Sequence, residues 1–392
     1  MISDHHSGQK RSEKPGDALF REVREISEHY LSDSLSAARF DISRNAMLAL
    51  VSILLNDGHA GDLARTLGIT DAMAFDLVSA LIQSGYAERS DDGRRLMRIT
   101  ERGKAVLGTV RQTIATARWT DFPFRPGDIV ISTSAKSGTT WAQMICALLI
   151  FRTPDLPAPL SELSPWLDWI LNPRDKVYGQ LAAQNHRRFI KTHMSLNEIG
   201  IDPRVTYIAV ARHPLDIAAS MYHHDANIDT ERFRQLAGIP DIESQGPSGL
   251  SPRQWLVRWI DEDATPDSPP GLMWHLSQAW KRRDQGNVLL LHYDDLSADL
   301  DGEMRRVAAQ LGISVPEHMW PGLVKAATFD QMRHAADRLQ PVGNVLKDNA
   351  AFFHSGISGS GRELLTTAEL DRYYARVRKL ASPGLLTWLH RS

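Results

Sequence analysis

The spacing of apolar residues changes near residue 119, and this change divides the chain into two parts. Between residues 18 and 118 apolar residues recur at helical spacing, which predicts a mainly helical domain. After that point come short β-branched or apolar runs, each followed by a polar turn and a helical pattern. Four runs stand out, namely DIVIST, RRFIKTH, VTYIAVAR and NVLLLHY. The alternation predicts an α/β domain over residues 119–392, in which a parallel sheet carries helices on both faces.

The helical domain has the order of elements found in many DNA-binding modules. A helix ends at Gly68, Thr70 caps a second helix that ends at Gly85, and two short strands then flank the turn Asp91-Asp92-Gly93. The buried face of the second helix is expected to consist of Phe75, Val78, Leu81 and Ile82. This order resembles the winged helix-turn-helix of the MarR type, with residues 105–118 as a closing helix. The second helix, which would read DNA, carries no Lys or Arg and two aspartates, whereas the wing is basic. Because base readout needs polar donors on that helix, we expect a homodimerisation domain rather than one that binds nucleic acid.

Composition narrows the class of protein further. With 42% hydrophobic and 23% charged residues, the chain has an ordinary globular balance, and its net charge of −2 argues against a general polyanion binder. Residues 1–17 are polar, which predicts a disordered tail and no secretory signal. The single cysteine, Cys146, precludes an intramolecular disulfide and favours a reducing compartment. No apolar run reaches the roughly 18 residues that span a membrane, so we expect a cytoplasmic protein.

The segment AKSGTTWA, residues 135–142, predicts an anion-binding turn from a buried strand into a helix. Lys136 supplies a full positive charge beside the positive end of the helix dipole. Backbone N–H groups and hydroxyls are offered there by Ser137, Gly138, Thr139 and Thr140. The segment therefore predicts a cradle for phosphate or sulfate. In a Walker A loop the lysine follows the second glycine, whereas here it precedes Gly138, so Mg²⁺-nucleotide chemistry is not indicated.

KSGTTW resembles the loop that binds the 5′-phosphosulfate group in PAPS-dependent sulfotransferases, where PAPS is 3′-phosphoadenosine 5′-phosphosulfate. Four further segments, in the same order, carry the same resemblance over about residues 119–390, and their details look closest to bacterial members of the family. The resemblance implies a P-loop-like parallel sheet flanked by helices, with PAPS as co-substrate, PAP as product and no metal. It also implies transfer of a sulfuryl group to a hydroxyl or amine of a small acceptor.

The second matching segment, RRFIKTH, holds the expected catalytic groups. The resemblance assigns the general base to His193, and it assigns contact with the transferred group to Lys191, with Lys136 as the second lysine. A histidine pKa near 6.5 suits proton removal at neutral pH. Cations are needed where negative charge gathers during transfer, which two lysines provide without a metal. An apolar or aromatic acceptor pocket is hinted at by Trp166, Trp169, Trp255 and Trp259.

The remaining segments supply the expected nucleotide contacts. Arg212 and Ser220 lie eight residues apart in VARHPLDIAAS, and the resemblance assigns the 3′-phosphate to both. It assigns adenine contacts to Tyr293, Trp141 and Phe329, and Thr328 and Met332 complete the ATFDQM pattern.

The last segment, FFHSGISGSGREL, departs from the family pattern. The resemblance places His354, Ser355 and Gly356 at the 3′-phosphate, but Ser355 replaces the usual lysine and Gly361 the usual tryptophan. Loss of one charge-assisted contact costs roughly 1.5–3 kcal/mol of donor affinity, with Arg362 as a candidate replacement.

Other readings of the sequence remain open. A transcriptional regulator could combine the winged helix with a degenerate nucleotide-sensing sulfotransferase domain, and a P-loop kinase would need ATP and Mg²⁺. His223 and His224 point about 100° apart on a helix and lack further ligands nearby, so we expect no metal site. The segment 227–273, rich in Gly, Pro, Ser and Asp, predicts either a lid over the acceptor site or an inert surface insertion.

Overall fold

The computed structural model describes residues 15–38, 40–55, 60–90, 97–237, 249–263, 265–340 and 345–391. These residues form two compact units, of which the first ends at Ile114 and the second begins at Ala115. The short segments 170–173 and 234–237 group with the first unit. A helix already begins at Pro15, inside the predicted disordered tail, and the rest of that tail lies outside the described residues.

Helices dominate the first unit. Its helices are α1 (Pro15–Ser27), α2 (Leu31–Ala37), α3 (Arg44–Leu55), α4 (Ala60–Leu67), α5 (Asp71–Gln83) and α6 (Glu101–Thr120), whose end from residue 115 belongs to the second unit. Strands β1 (Ala87–Arg89) and β2 (Met97–Ile99) pair antiparallel between α5 and α6. As predicted, the Thr70 hydroxyl caps α5 by accepting from the Met73 N–H at 3.3 Å. The turn predicted between the two strands lies outside the described residues.

The apolar face predicted for α5 is wrong in part. Phe75 was expected on the buried face but is 60% exposed, and Met73 is 52% exposed. Leu81 of the same stripe is buried as predicted, and Ala74 is buried in place of Phe75. The burial of α5 is therefore rotated relative to the predicted stripe, because its packing against α3 and α4 selects the buried side.

The second unit contains, among the described residues, a sheet of four parallel strands that coincide with the four predicted runs. They are β3 (Ile129–Ser132), β4 (Phe189–Thr192), β5 (Thr206–Ala211) and β6 (Val288–His292). Their spatial order is β4-β3-β5-β6. The helices are α7 (Thr139–Phe151), α8 (Leu160–Leu163), α9 (Arg174–Ala183), α10 (Pro214–Asn227), α11 (Thr230–Ala237), α12 (Pro252–Ile260), α13 (Pro269–Trp280), α14 (Tyr293–Ala298), α15 (Leu300–Leu311), α16 (Trp320–Ala326), α17 (Phe329–His334), α18 (Ala336–Leu339), α19 (Ser360–Glu363), α20 (Thr367–Val377) and α21 (Pro383–Leu389). The end of α11 from residue 234 groups with the first unit. Short 3₁₀ turns occur at Glu317–Met319 and Ala350–Phe352.

Both faces of this sheet are covered. Ile129 and Ile131 of β3 pack into one apolar cluster with α7, while Val130 packs into a second cluster on the opposite face with Trp119. This confirms the predicted arrangement of a parallel sheet between helices. From β3 the chain passes to β4 on one side, and then to β5 and β6 on the other. The strand order therefore reverses between β3 and β5, and a ligand site is expected beyond their carboxyl ends.

Part of the segment predicted as a lid belongs to the core. Leu256, Trp259 and Ile260 of α12 are buried against the start of α10, and the Trp259 indole donates to the Asp267 carbonyl at 2.8 Å. The buried side of α12 is therefore part of the core of the second unit, and a lid role for the segment stays a prediction. Residues 238–248 of the predicted segment lie outside the described residues.

Candidate active site

The predicted anion cradle connects β3 to α7. Lys136 has φ 61° and Gly138 has φ 115°, so the backbone turns through two left-handed positions. A Cβ on Gly138 would lie 3.2 Å from Val210 and 3.3 Å from Tyr293, which favours glycine on steric grounds as well. Gly138 is the N-cap of α7 and provides no side-chain cap, so the first N–H groups of this helix remain available to an anion.

Two hydroxyls of the cradle support the loop itself. Ser137 donates to the Ser134 carbonyl at 2.8 Å, and the hydroxyls of Thr133 and Thr139 are 2.6 Å apart. Thr140 is half-buried in the first turn of α7. The side chains of Ser137 and Thr139 therefore shape the turn.

His193 directly follows β4 and has one ring nitrogen committed. Its Nδ1 lies 2.7 Å from the Thr133 carbonyl oxygen, which can only accept, so Nδ1 carries the proton. Burial lowers the pKa of His193 well below its usual range, and the neighbouring Lys191 lowers it further. The ring is therefore neutral at physiological pH, and its Nε2 lone pair is free to accept a proton.

Lys191 lies at the end of β4, buried beside Trp166. Its Nζ is 3.9 Å from the centre of the Trp166 ring, and the edge of the His193 ring approaches the same indole with the ring centroids 4.6 Å apart. Burial lowers the pKa of Lys191 to about 8, and the charge of Asp168 opposes that shift. Lys191 and His193 therefore share one aromatic neighbour.

Lys136 reaches toward the C-terminal part of the unit. Its Nζ lies 3.8 Å from the centre of the Phe352 ring and 3.4 Å from the Phe352 carbonyl oxygen. Burial lowers the pKa of Lys136 to about 7, and the nearby charges of Arg212 and Lys191 act in the same direction. The lysines of the predicted site are thus close enough to repel each other, which is the arrangement expected where an anion binds.

The predicted nucleotide residues come together after β5 and β6. The Arg212 guanidinium lies over the Tyr293 ring at 4.2 Å and donates to the Ile357 carbonyl at 3.0 Å. The Tyr293 hydroxyl donates to the Gly356 carbonyl at 3.3 Å, and the Trp141 ring meets Tyr293 edge to face at 5.1 Å. Arg212, Trp141, Tyr293 and Gly356 therefore form one cluster at the carboxyl edge of the sheet.

Other predicted nucleotide residues have clear packing or capping roles. Thr328 caps α17 and donates to the Lys325 carbonyl at 2.8 Å, and Met332 is buried in the main apolar cluster. Phe329 contacts Phe353 edge to face at 6.0 Å. Ser220 is half-buried on α10. No contact among the described residues tests a nucleotide role for these four, so that role stays a prediction.

The C-terminal segment 353–362 is fastened to the start of α10 by Asp216. This buried carboxylate accepts from the N–H groups of Gly359 and Gly361, both at 2.8 Å. A Cβ on Gly361 would lie 2.2 Å from the Leu215 carbonyl oxygen, so the tryptophan usual at this position does not fit the present backbone. Asp216 is a residue that the sequence did not single out, although a carboxylate in the first turn of a helix was a usable signal.

In the same segment, His354 is exposed and Ser355 is half-buried. The His354 ring stacks on His223 with centroids 3.7 Å apart, and the Ser355 hydroxyl accepts from the Ile357 N–H at 3.5 Å. Arg362, the candidate replacement for the missing lysine, lowers the pKa of His213 and His390, which places its charge near these two histidines.

Two tests for other kinds of site are negative within the described residues. No group of three or more His, Cys, Asp or Glu side chains is placed to hold a metal ion. No helix there is both long and apolar enough to cross a membrane.

An anion cradle, the buried Lys191 with the half-buried Lys136, a neutral histidine and an Arg-Tyr-Trp cluster define a group transferase on an α/β fold. Residues 126–382 match the sulfotransferase domain family. A glycolipid sulfotransferase of Mycobacterium bovis (strain BCG / Pasteur 1173P2) is 40% identical over 298 residues, covering 70% of this chain and 90% of the relative. Human sulfotransferase 1C2 is 24% identical over 284 residues, covering 69% and 89%. The chain therefore belongs to the sulfotransferase family and is a sulfotransferase enzyme.

Solved structures share the fold. Retinol dehydratase, crystallised with androsterone and the inactive cofactor PAP, aligns with a TM-score of 0.54 at 20% identity, covering 70% of this chain and 88% of that chain. Mouse sulfotransferase SULT7A1, complexed with PAP, aligns with a TM-score of 0.52 at 20% identity, covering 71% and 93%. These alignments support the sulfotransferase fold for the second unit.

Proposed function

We propose that the enzyme transfers a sulfuryl group from PAPS to a hydroxyl or amine of a small acceptor, with His193 as the general base. The PAP complexes of the structural neighbours motivate the choice of donor. The residues present suit such an anion, because buried polar atoms in the site lack partners within the described residues. These atoms are Ser134 Oγ, Trp141 Nε1 and Arg212 Nε.

The donor would be held at both of its ends. Lys136, Lys191 and the first N–H groups of α7 hold the phosphosulfate end, and Arg212, Ser220 and residues 354–356 hold the 3′-phosphate. Tyr293 and Trp141 lie beside Arg212, where the adenine of the donor would be bound between its two anionic ends. The departure at Ser355 weakens the 3′-phosphate end by one cationic contact relative to the family pattern.

The proposed mechanism depends on the neutral tautomer of His193 in which Nδ1 carries the proton and Nε2 accepts one. When bound, PAPS supplies a sulfuryl group activated by its bond to phosphate. Nε2 of His193 takes the proton of the acceptor as the acceptor oxygen bonds to sulfur, while the electron pair of the broken sulfur–oxygen bond stays on the phosphate. Lys136 and Lys191 then face the oxygens on which negative charge accumulates. Nδ1–H stays on the Thr133 carbonyl and stabilises the imidazolium that forms.

We extend the proposal to a glycolipid as the preferred acceptor, because the relatives at 40% identity are named glycolipid sulfotransferases. Trp166 and Trp169 stack beside His193 with centroids 4.5 Å apart, and Phe233 meets Trp169 at 6.2 Å. These aromatic rings beside His193 suit an acceptor that has an apolar portion. A panel of glycolipid, steroid and phenol acceptors, compared by kcat/KM, measures this preference, and a phenol preferred over every glycolipid would contradict it.

The decisive experiment separates chemistry from donor binding. His193→Ala should abolish transfer yet bind PAP in calorimetry nearly as wild type does, because His193 contacts the acceptor rather than the nucleotide. Arg212→Ala should weaken PAP binding and thereby raise the KM for PAPS. A wild-type kcat in His193→Ala would refute the assignment of His193 as the general base. Absence of PAP binding by the wild type would refute PAPS as the donor.

For the first unit we propose a winged-helix module that forms a homodimer of a cytoplasmic enzyme. Met73 and Phe75 are exposed on α5, a helix without Lys or Arg, and such a face suits protein contact better than DNA contact. Light scattering should show a dimer for the full chain and a shift toward monomer for the double variant Met73→Ser/Phe75→Ser. Specific, salt-resistant binding of genomic DNA in a mobility-shift assay would favour the regulator instead.

A further inference from the structure

The cations of the candidate site share an unusual kind of neighbour. Lys191 Nζ lies over Trp166 at 3.9 Å, Lys136 Nζ over Phe352 at 3.8 Å, and the Arg212 guanidinium over Tyr293 at 4.2 Å. Contacts of this kind that matter energetically occur about once per 70–80 residues. Three of them within one site therefore indicate a shared purpose rather than chance packing.

An anion site must hold its cations without neutralising them. A carboxylate partner would compete with the incoming sulfate or phosphate, yet a buried ammonium without any partner is costly. Neither lysine nor Arg212 forms an ion pair with a carboxylate in the part of the chain that the structure describes. The negative face of an aromatic ring attracts a cation but carries no net charge, so the charge of a protonated lysine is not cancelled and stays available to the ligand.

Trp166 is fixed firmly enough to orient what it touches. Its segment pairs with the end of β4, where the Lys191 N–H donates to the Pro165 carbonyl at 3.0 Å and the Leu167 N–H donates to the Lys191 carbonyl at 3.3 Å. Buried Arg118 donates to the carbonyls of Leu167 and Trp169, both at 3.1 Å. The Trp166 ring therefore has a fixed position beneath Lys191 and against the edge of His193.

Phe352 contacts Lys136 in the way that Trp166 contacts Lys191, with its ring face toward the ammonium group. It belongs to a 3₁₀ turn that lies 216 positions along the chain from the lysine, and its carbonyl oxygen also accepts from Lys136 Nζ at 3.4 Å. The ring of His224, on α10, meets Phe352 edge to face at 5.7 Å. The same ring thus contacts both the anion cradle and α10.

We propose that Trp166 and Phe352 are positioning residues whose ring faces hold Lys191 and Lys136 in place of counter-ions, ready for the phosphosulfate group. The inference rests on the proposed function. We place neither ring on the transferred group: Phe352 acts through Lys136, and Trp166 acts through Lys191 in addition to its contact with His193. The contribution of each ring should follow the electron density of its face, which a purely structural role does not require.

The first test varies the aromatic character and the electron density of the side chain at position 166. Trp166→Phe keeps an aromatic face and should retain most of the transfer rate. Trp166→Leu introduces a side chain of similar apolar volume to phenylalanine but without an aromatic face, and it should lower kcat roughly 2- to 30-fold. Site-specific incorporation of mono-, di- and trifluorotryptophan at position 166 should lower log kcat in graded steps. Trp274→Leu is the matched control, because Trp274 is 53% exposed on α13. A flat fluorination series, or equal loss in the Phe and Leu variants, would overturn the proposal.

The second test needs neither donor nor activity. In protein labelled with ¹³Cε-lysine, the Lys191 methylene protons should be shifted upfield by the Trp166 ring, and the signal is assigned by its loss in Lys191→Arg. The shift should persist in Trp166→Phe and disappear in Trp166→Leu, and Phe352→Leu should remove the corresponding shift of Lys136. If the wild type neither binds PAP nor transfers sulfate, the proposed function fails while this readout still reports on the rings. Unshifted lysine signals in an active wild type would refute the ring contacts alone.

Discussion

The low pKa values of the two lysines make the affinity for PAP strongly dependent on pH. Burial lowers the pKa of Lys136 to about 7 and that of Lys191 to about 8. An anion binds the protonated lysines, so affinity is highest below these values and is lost as pH rises through them. Above about pH 7 the 3′- and 5′-phosphates of PAP are both almost fully ionised, with second pKa values near 6, so the ligand itself contributes little to the change.

The size of the effect follows from the two values. Between about pH 7 and about pH 8.5 the protonated fraction falls roughly 16-fold for Lys136 and roughly 4-fold for Lys191, so the Kd for PAP should rise roughly 60-fold. Calorimetry in two buffers of different ionisation enthalpy should show uptake of roughly 1.4 protons on binding near pH 8. This uptake reports directly on lysines that gain protons in the complex.

Lys136→Arg is the matched control for this prediction. An arginine stays charged throughout the range, so the Kd for PAP should rise only the roughly 4-fold that Lys191 contributes. An unchanged pH dependence in Lys136→Arg would assign the titration to another group. Constant affinity in the wild type, with no proton uptake, would refute the reasoning that burial lowers the pKa of both lysines.

The remaining predictions concern the C-terminal segment. Asp216→Ala should cost about 3 kcal/mol or more of unfolding free energy in urea, because the N–H groups of Gly359 and Gly361 lose a buried carboxylate; unchanged stability would contradict this. Ser355→Lys should tighten PAP binding roughly 10- to 100-fold in calorimetry by restoring a charge-assisted contact, and unaltered affinity would place the 3′-phosphate elsewhere. Gly361→Trp should unfold at a lower temperature than wild type, since even a Cβ meets the Leu215 carbonyl at 2.2 Å.

Local patterns predicted the elements that carry the site. The four strands lie in the predicted runs because each is a short apolar segment bounded by polar turns, and parallel strands buried on both faces need that composition. The cradle was predictable because strand, glycine and helix start are consecutive in sequence. His193 was placed at a strand end for the same reason, and the structure supplies the Thr133 contact that fixes its tautomer.

Prediction was less successful where burial depends on neighbouring elements. Phe75 fits a helical stripe, yet α5 packs on α3 and α4 with other residues, and periodicity alone does not say which face meets the core. Loop-like composition predicted a lid or a surface insertion for the segment that contains α12, yet Trp259 is buried against the start of α10. Composition reports the propensity for loops, whereas burial depends on what the rest of the chain provides.

The sequence by itself determined the family, the sheet, the anion cradle and most of the charged residues of the site, because these depend on residue types within short segments. Only the tertiary structure decided how those charges behave. The pKa of Lys136 depends on burial and on Arg212, and its support by Phe352 joins residues 216 positions apart. Desolvation and cation–aromatic attraction act between groups that folding brings together, so no local pattern of residues could have revealed them.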